Sequence, residues 1–339
     1  YQPFAGLYNT YMLSNSHPNF EKRLEQLIMA VKLVYASTYL KAPRSYAKST
    51  MHRTEDEEMA VVLQQLTGMA YKNYFYPSIS GVAQSYNFYP ISHLKAEEGV
   101  TYIALGLGKI VMEGGRTIRF CPKYPQFLPQ FSVLDDILEN SQKYFYALKL
   151  DQSMGDEKAI STSNEDLTLE KLDLSDATDH PVVRFLSSTY YAQDNRIRDS
   201  FSNKGFPVLT FANILKYNSF PLAKLLEEVT KIGSKWMGAS VEVEFAVNLP
   251  EDEKLKPQFS LLQIRPMGRY KQNMGVKIGK KEIKEAFGYS TLSLGNGEYN
   301  DIHDVVYVDP ETFDPGKTME IAGEINKINA LFNGNGKQY

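Results

Sequence analysis

Residues 238–266 read GASVEVEFAVNLPEDEKLKPQFSLLQIRP, and the reading of this stretch decides the fold. It predicts two strands. In Val241-Glu242-Val243-Glu244-Phe245 a period of two turns Val241, Val243 and Phe245 toward a core and leaves Glu242 and Glu244 on the opposite face. In residues 259–265 the same alternation puts Gln263 and Arg265 on one face and Leu262 and Ile264 on the other. If the strands pair as a hairpin, two carboxylates, an amide and a guanidinium line one surface. Such a surface can hold a magnesium-bound polyphosphate, because carboxylates take hard cations and arginine pairs with phosphate oxygens. A solvated sheet face with cross-strand charge pairs is the other reading open at this point.

Composition narrows the classes. The chain has 339 residues, enough for one large or two ordinary domains. With 43% hydrophobic and 23% charged residues it has the balance of a globular chain rather than a disordered one. A net charge of −3, with basic residues scattered, offers no field to draw in nucleic acid or an anionic membrane. Cys121 is the only cysteine, which excludes an intrachain disulfide and a cysteine-zinc cluster. No apolar run is long enough to span a bilayer and no signal peptide is recognisable, so a cytoplasmic protein is the expectation. The chain starts at Tyr1 without a methionine and reads as a fragment of something longer.

Glu242-x-Glu244-Phe245 followed by Leu262-Gln263-x-Arg265-Pro266 resembles the closing hairpin of the ATP-grasp domain in phosphoenolpyruvate synthases and pyruvate phosphate dikinases. The resemblance implies that Glu242 and Glu244 bind Mg2+ and that Gln263 and Arg265 contact the phosphates of ATP. Further matches run upstream in the same order. Residues 1–8, YQPFAGLY, resemble the segment that follows the family's arginine-bearing loop, which this chain lacks. The apolar run 59–66, MAVVLQQL, reads as a buried strand. It resembles the strand leading to the adenine edge, which implies Gln64, Gln65 and Leu66 as purine-side residues. Residues 80–87 resemble the family's SGV strand near the triphosphate, with Gln84-Ser85-Tyr86 where Phe-Thr-Arg or Phe-Thr-Leu is more usual. Gly106-Leu107-Gly108-Lys109 is similar to the family's GLGE turn, with Lys109 in place of the nucleotide-binding acid and Glu113 one helical turn later. A lysine there can contact phosphate but cannot ligate magnesium through a carboxylate.

The expected fold is therefore α+β, an N-terminally truncated ATP-grasp-like domain whose antiparallel hairpin carries the nucleotide site. Residues 1–267 would form this nucleotide-binding region, and residues 268–339 a linker and the start of a following α/β module. The function implied is the ATP-binding part of a phosphoenolpyruvate synthase-like phosphotransferase, which phosphorylates a carrier histidine and then pyruvate. The phosphohistidine and pyruvate-binding domains would belong to the same full-length chain, and the fragment alone would turn nothing over. Two alternatives stay open: a degenerate nucleotide-binding or scaffold domain, and a related dikinase with a different acceptor.

Periodicity fills in the rest. Asn19 is placed to cap a helix with Leu24, Leu27, Ile28, Val31, Val34 and Tyr35 as a core-facing stripe. Strands are expected over 100–108, 117–120, 182–186, 188–192 and 304–308. Helices are expected over 133–148, 208–216, 221–236 and 318–332, the second and third of these packed beneath the hairpin. Residues 153–179 read as a polar surface excursion and 122–126 as a proline-bounded turn. Other chemistries lack their signatures. Lys109 is followed by Ile110 rather than Ser or Thr, which excludes a phosphate loop, and the five histidines show no metal-ligand spacing. No G-x-S-x-G elbow is present, and Cys121, beside Pro122 after an apolar strand, reads as buried rather than reactive.

Overall fold

The computed structural model describes residues 8–41, 43–44, 59–150, 168–252, 254–267, 278–288, 305–309 and 312–334. These divide into two units, one within residues 1–268 and the other within 269–339. Strands follow in the order β1 (Met69–Tyr71), β2 (Tyr74–Tyr76), β3 (Ile79–Gln84), β4 (Val100–Ala104), β5 (Ile118–Phe120), β6 (Tyr144–Lys149), β7 (Leu169–Asp173), β8 (Ser187–Tyr191), β9 (Arg196–Arg198), β10 (Phe206–Leu209), β11 (Val241–Asn248) and β12 (Gln258–Pro266). They form a five-stranded sheet, β12-β11-β3-β4-β5, a four-stranded sheet, β1-β2-β6-β7, and a three-stranded sheet, β10-β8-β9. Every strand pairing is antiparallel, so the architecture is a mixed helix-and-sheet, α+β arrangement. Helices of the first unit include α1 (Phe20–Ser37), α2 (Lys109–Met112), α3 (Leu134–Asn140), α4 (Pro181–Leu186), α5 (Ala212–Leu215) and α6 (Leu222–Met237).

The five-stranded sheet is built on the alternation expected for β11. Val241, Val243, Phe245 and Val247 are buried and join one core cluster with Ile79, Ala83, Ile103, Ile118 and Phe120. Helix α6 covers this side. Its buried residues Leu222, Leu226, Thr230 and Gly233 recur every three or four positions, and a Cβ on Gly233 would stand 2.4 Å from Cδ1 of Ile264 on β12. The helix thus presses on the back of the hairpin, as the periodicity indicated.

Several elements differ from the sequence reading. The helix expected over 133–148 stops at Asn140, because Tyr144–Lys149 alternates, burying Phe145 and Ala147, and pairs as β6. Between them Gln142 stands in for a strand partner: its Oε1 accepts from Leu105 N at 2.9 Å, and its Nε2 donates to Leu105 O and Tyr144 O. Residues 182–186, read as a strand, are helical. Pro181 occupies the first turn, and Val182, Val183 and Leu186 bury at helical spacing. Residues 208–216 split into β10 and α5 at Phe211, whose φ of 53° breaks the run. Asn19 caps α1 as expected, its Oδ1 accepting from Glu21 N at 2.9 Å. The stripe Leu24, Leu27, Ile28 and Tyr35 is exposed, however, and the buried positions are the small Ala30 and Ser37. Residues 59–66 form no strand, with Val62 82% exposed. Residues 168–179 of the expected surface excursion carry β7 and bury Leu172, Leu174 and Ala177. Residues 1–7, 153–167 and 268–277 of the sequence reading lie outside the described residues.

In the second unit, Thr318–Gly334 is the expected helix, α8, preceded by α7 (Lys280–Glu285), while residues 305–309 are irregular rather than a strand. Among the described residues no helix is long and apolar enough to cross a membrane.

A buried polar network ties β2 to the start of α4. The Tyr76 hydroxyl lies 2.6 Å from His180 Nδ1, Tyr71 stacks on the imidazole at 5.4 Å, and Lys72 pairs with the adjoining Asp179. Burial lowers the His180 pKa, opposed by Asp179, and raises that of Tyr76, so the neutral imidazole accepts from the phenol. The folded chain therefore binds a proton at His180 more weakly than the unfolded chain. The neutral ring's contribution is complete above the ordinary value of 6.5 and begins to be lost as pH falls through it. His180→Ala should cost about 1–3 kcal/mol by leaving the Tyr76 hydroxyl unpaired. It should also flatten the acid-side slope in urea unfolding between about pH 8 and 5, and an unchanged slope would contradict the assignment.

Candidate functional site

β11 runs between β12 and β3, and the two ladders decide what shares its outer face. Glu242 pairs with Arg265 on one side and Gln84 on the other; Glu244 pairs with Gln263 and Val82. Directly opposite residues in antiparallel strands point to the same face, so Glu242, Glu244, Gln263 and Arg265 lie together, away from α6. Continuing across the sheet, Tyr102 and Arg119 complete the Glu244 row.

A bulge sharpens the arrangement. The Glu244–Gln263 pair is followed by Phe245–Leu261, which leaves Leu262 as an extra residue on β12. Its carbonyl accepts from Gln64 Nε2 at 3.2 Å. Residues 59–66 thus meet the hairpin at the bulge through the Gln64 side chain. Of the three purine-side candidates, Gln64 and Gln65 are exposed and Leu66 packs against the core. Behind Glu244, the Phe245 ring lies over Gly81, its cross-strand partner. A Cβ there would fall 2.6 Å from the ring and 2.5 Å from Tyr102 O, so this strand position requires glycine.

The four polar groups are not equivalent. Arg265 Nε donates to Glu242 Oε1 at 2.9 Å, and its Nη2 donates to the same oxygen. Gln84 Nε2 donates to Oε2 at 2.7 Å, so both carboxylate oxygens of Glu242 are engaged. The Glu244 pKa is raised by burial, against the opposing pull of Arg265 and with a further push from Glu242. Gln263 is exposed at the edge.

The Gly106-to-Lys109 turn stands over the Ser80 end of the same face, a Cβ on Gly108 lying 3.9 Å from Ser80 Cβ. Lys109 opens α2 with its side chain 18% exposed and pairs with Glu113 Oε1 at 3.2 Å. Tyr146 donates to Glu113 Oε2 at 3.1 Å, and its ring lies 5.5 Å from the ammonium. Glu113, one helical turn after Lys109 in the sequence, is an ion-pair partner of Lys109. A cavity of about 260 Å³, lined by Asn87, Val100, Arg119, Cys121, Phe127 and Gln130 among others, opens at the β5 side of the sheet. It contains none of the hairpin groups, and their charge chemistry makes the hairpin the better candidate. Cys121 is buried, as expected.

A family model described as "Pyruvate phosphate dikinase, AMP/ATP-binding domain" matches residues 1–286. The chain belongs to that family. It is therefore related to the ATP-binding part of the pyruvate phosphate dikinase and phosphoenolpyruvate synthase enzymes, and the hairpin lies within the matched region. No curated protein matches the sequence. Two carboxylates on one strand have the donor chemistry of hard-cation ligands, and among the described residues there is no group of three potential metal ligands.

The sequence signals for Gln84 and Glu113 were slight. Gln84 sits one register step across the sheet from Glu242, which no single-strand pattern displays, whereas Glu113 is legible only as a residue four positions after Lys109.

Because its raised pKa makes the folded state hold a proton longer, ionised Glu244 opposes folding. The penalty is absent below the ordinary Glu value of 4.5 and grows as pH rises through the raised one. Glu244→Gln should leave stability unchanged or increased at neutral pH, with any gain vanishing in acid. A drop in thermal midpoint of more than about 4 °C, roughly 1 kcal/mol or more, would contradict this placement.

Proposed function

We propose that this chain is the nucleotide-handling part of a phosphoenolpyruvate synthase-like phosphotransferase, with an ATP-grasp-like architecture whose antiparallel hairpin carries the phosphate site. In the complete protein, ATP would phosphorylate a carrier histidine on one further domain, and a pyruvate-binding domain would receive the phosphoryl group. One observation carries the reading: in a chain of an AMP/ATP-binding family, the register sets two carboxylates, an amide and a guanidinium on one sheet face.

Phosphoryl transfer of this kind asks the protein for position and electrostatics more than for covalent chemistry. Arg265 binds phosphate oxygens and neutralises charge that develops on them. Gln263, at the exposed edge beside it, orients a phosphate oxygen through its amide. Glu242 and Glu244 would hold Mg2+, which when bound supplies charge neutralisation across the polyphosphate. Lys109, over the Ser80 end of the face, extends the cationic surface toward the phosphates. Gln64, Gln65 and Leu66 flank the hairpin edge at the bulge and would form the purine side.

A second reading has an observation of its own. Glu242 is saturated by Arg265 and Gln84, and Lys109 by Glu113, as in a site that has turned to internal pairing. Under that reading the domain binds nucleotide weakly or serves as a scaffold.

Two substitutions in the full-length protein separate the readings. Glu244→Gln should depress phosphoryl transfer by orders of magnitude while the fold is retained, because a metal-holding carboxylate is lost. Unchanged turnover would favour the scaffold. Lys109→Glu should weaken nucleotide binding by about tenfold or more, the loss of one charge-assisted contact compounded by repulsion from Glu113. Neutral or tighter binding would show that Lys109 is not a phosphate contact.

A further inference from the structure

Glu242 is gripped from both neighbouring strands, and the two grips differ in kind. Arg265 comes from β12 and takes Oε1 with two N–H groups. Gln84 comes from β3, stands directly opposite Glu242, and takes Oε2 with one N–H at 2.7 Å. A carboxylate only accepts hydrogen bonds, so the Gln84 amide must turn its nitrogen toward Glu242. The Glu242 side chain is 15% exposed, and water does little to fix its direction.

We propose that Gln84 is a positioning residue of the phosphate site, which holds Glu242 Oε2 while Oε1 passes from Arg265 to a divalent cation. The inference rests on the nucleotide-site reading above. Both hydrogen bonds that Arg265 gives to Glu242 fall on Oε1, so a cation that takes Oε1 requires the ion pair to open, while the remaining guanidinium N–H groups can face phosphate. Once it opens, Glu242 has one remaining tether in the sheet. With Oε2 held by Gln84, Oε1 stays directed at the face it shares with Glu244, its lone pairs open. The residue type suits the task. A lysine or arginine at position 84 would cancel the carboxylate's charge, an apolar residue would leave Oε2 unsatisfied and the side chain free to turn, and an acid would repel it. An amide holds a carboxylate without neutralising it.

The test uses Mn2+ as the probe, titrated into the chain with ATP present and followed by water-proton relaxation. Gln84→Met keeps length and volume but removes the donor. It should weaken Mn2+ binding about tenfold, the effect of one lost hydrogen bond to a charged group. In a Glu242→Gln background the same substitution should change Mn2+ affinity by less than about twofold, because nothing remains to position. A Gln84 that merely supports the sheet would weaken binding equally in both backgrounds, and that result overturns the proposal. A second measurement needs no variant. In the wild-type chain, the Gln84 side-chain amide resonances should keep their hydrogen-bonded positions when Mg2+ and ATP are added, while the Arg265 Nε–H resonance moves. Release of the Gln84 amide on addition overturns the proposal. Wild-type binding with Gln84→Met unaffected overturns this inference alone. No ATP-dependent Mn2+ binding by the wild-type chain overturns the nucleotide-site reading and this inference with it.

Discussion

The register of β11 between β12 and β3 is the constraint on which the rest of the molecule depends. A one-residue slip in either ladder would turn Glu242 and Glu244 into the core and expose Val241, Val243 and Phe245. Three features resist such a slip. The inward residues of β11 join the main cluster, α6 presses on the hairpin through Gly233, and the Phe245 ring rests on the bare backbone of Gly81. The last is the most local. It demands an aromatic and a glycine directly opposite one another, beside the carboxylate of Glu244, so packing on one side of the sheet sets the chemistry on the other.

The same strand carries opposing electrostatic demands. Glu242 is satisfied twice over, and its pairing with Arg265 keeps two partly buried charges compatible with folding. Such a pair contributes less than it would cost to break by removing one member. Glu244 is left with burial and a like charge beside it, and its carboxyl is accordingly shifted upward. One carboxylate is held ready by its neighbours and the other is held under strain by its surroundings. On the nucleotide-site reading proposed above, a divalent cation would offset the crowding of charge at Glu244, and the Glu242–Arg265 pair would supply a carboxylate to the cation and a guanidinium to phosphate.

How far this was legible in the sequence follows from the range of each interaction. The alternation of Val241, Glu242, Val243, Glu244 and Phe245 is a property of adjacent residues, and the same is true of Asn19 as a cap and of Leu222 and Leu226 in α6; these residues stand where the pattern puts them. Residues 133–148 and 182–186 carry patterns compatible with either helix or strand. In the first the outcome was decided by contacts distant in sequence, Gln142 with Leu105 and β6 with β7, and in the second by Pro181 at the first helical turn. Residues 59–66 looked like a buried strand because apolar residues cluster there. In the fold Gln64 meets the carbonyl of Leu262, some two hundred residues away, through its side chain, a contact that a one-dimensional reading has no means to register. Within the site, Glu242, Glu244, Gln263 and Arg265 are visible as two short patterns. Gln84 and the Glu113–Tyr146 hold on Lys109 are cross-element contacts and emerge only from the fold.

The most direct measurement of the central claim is paramagnetic broadening of the backbone amide spectrum by Mn2+ added with ATP. The account requires the strongest broadening on β11 and β12 around Glu242, Glu244, Gln263 and Arg265, with weaker effects at the Gly106-to-Lys109 turn and its neighbours. Broadening centred instead on the cavity beside Arg119, or spread evenly over exposed acidic residues, would contradict it.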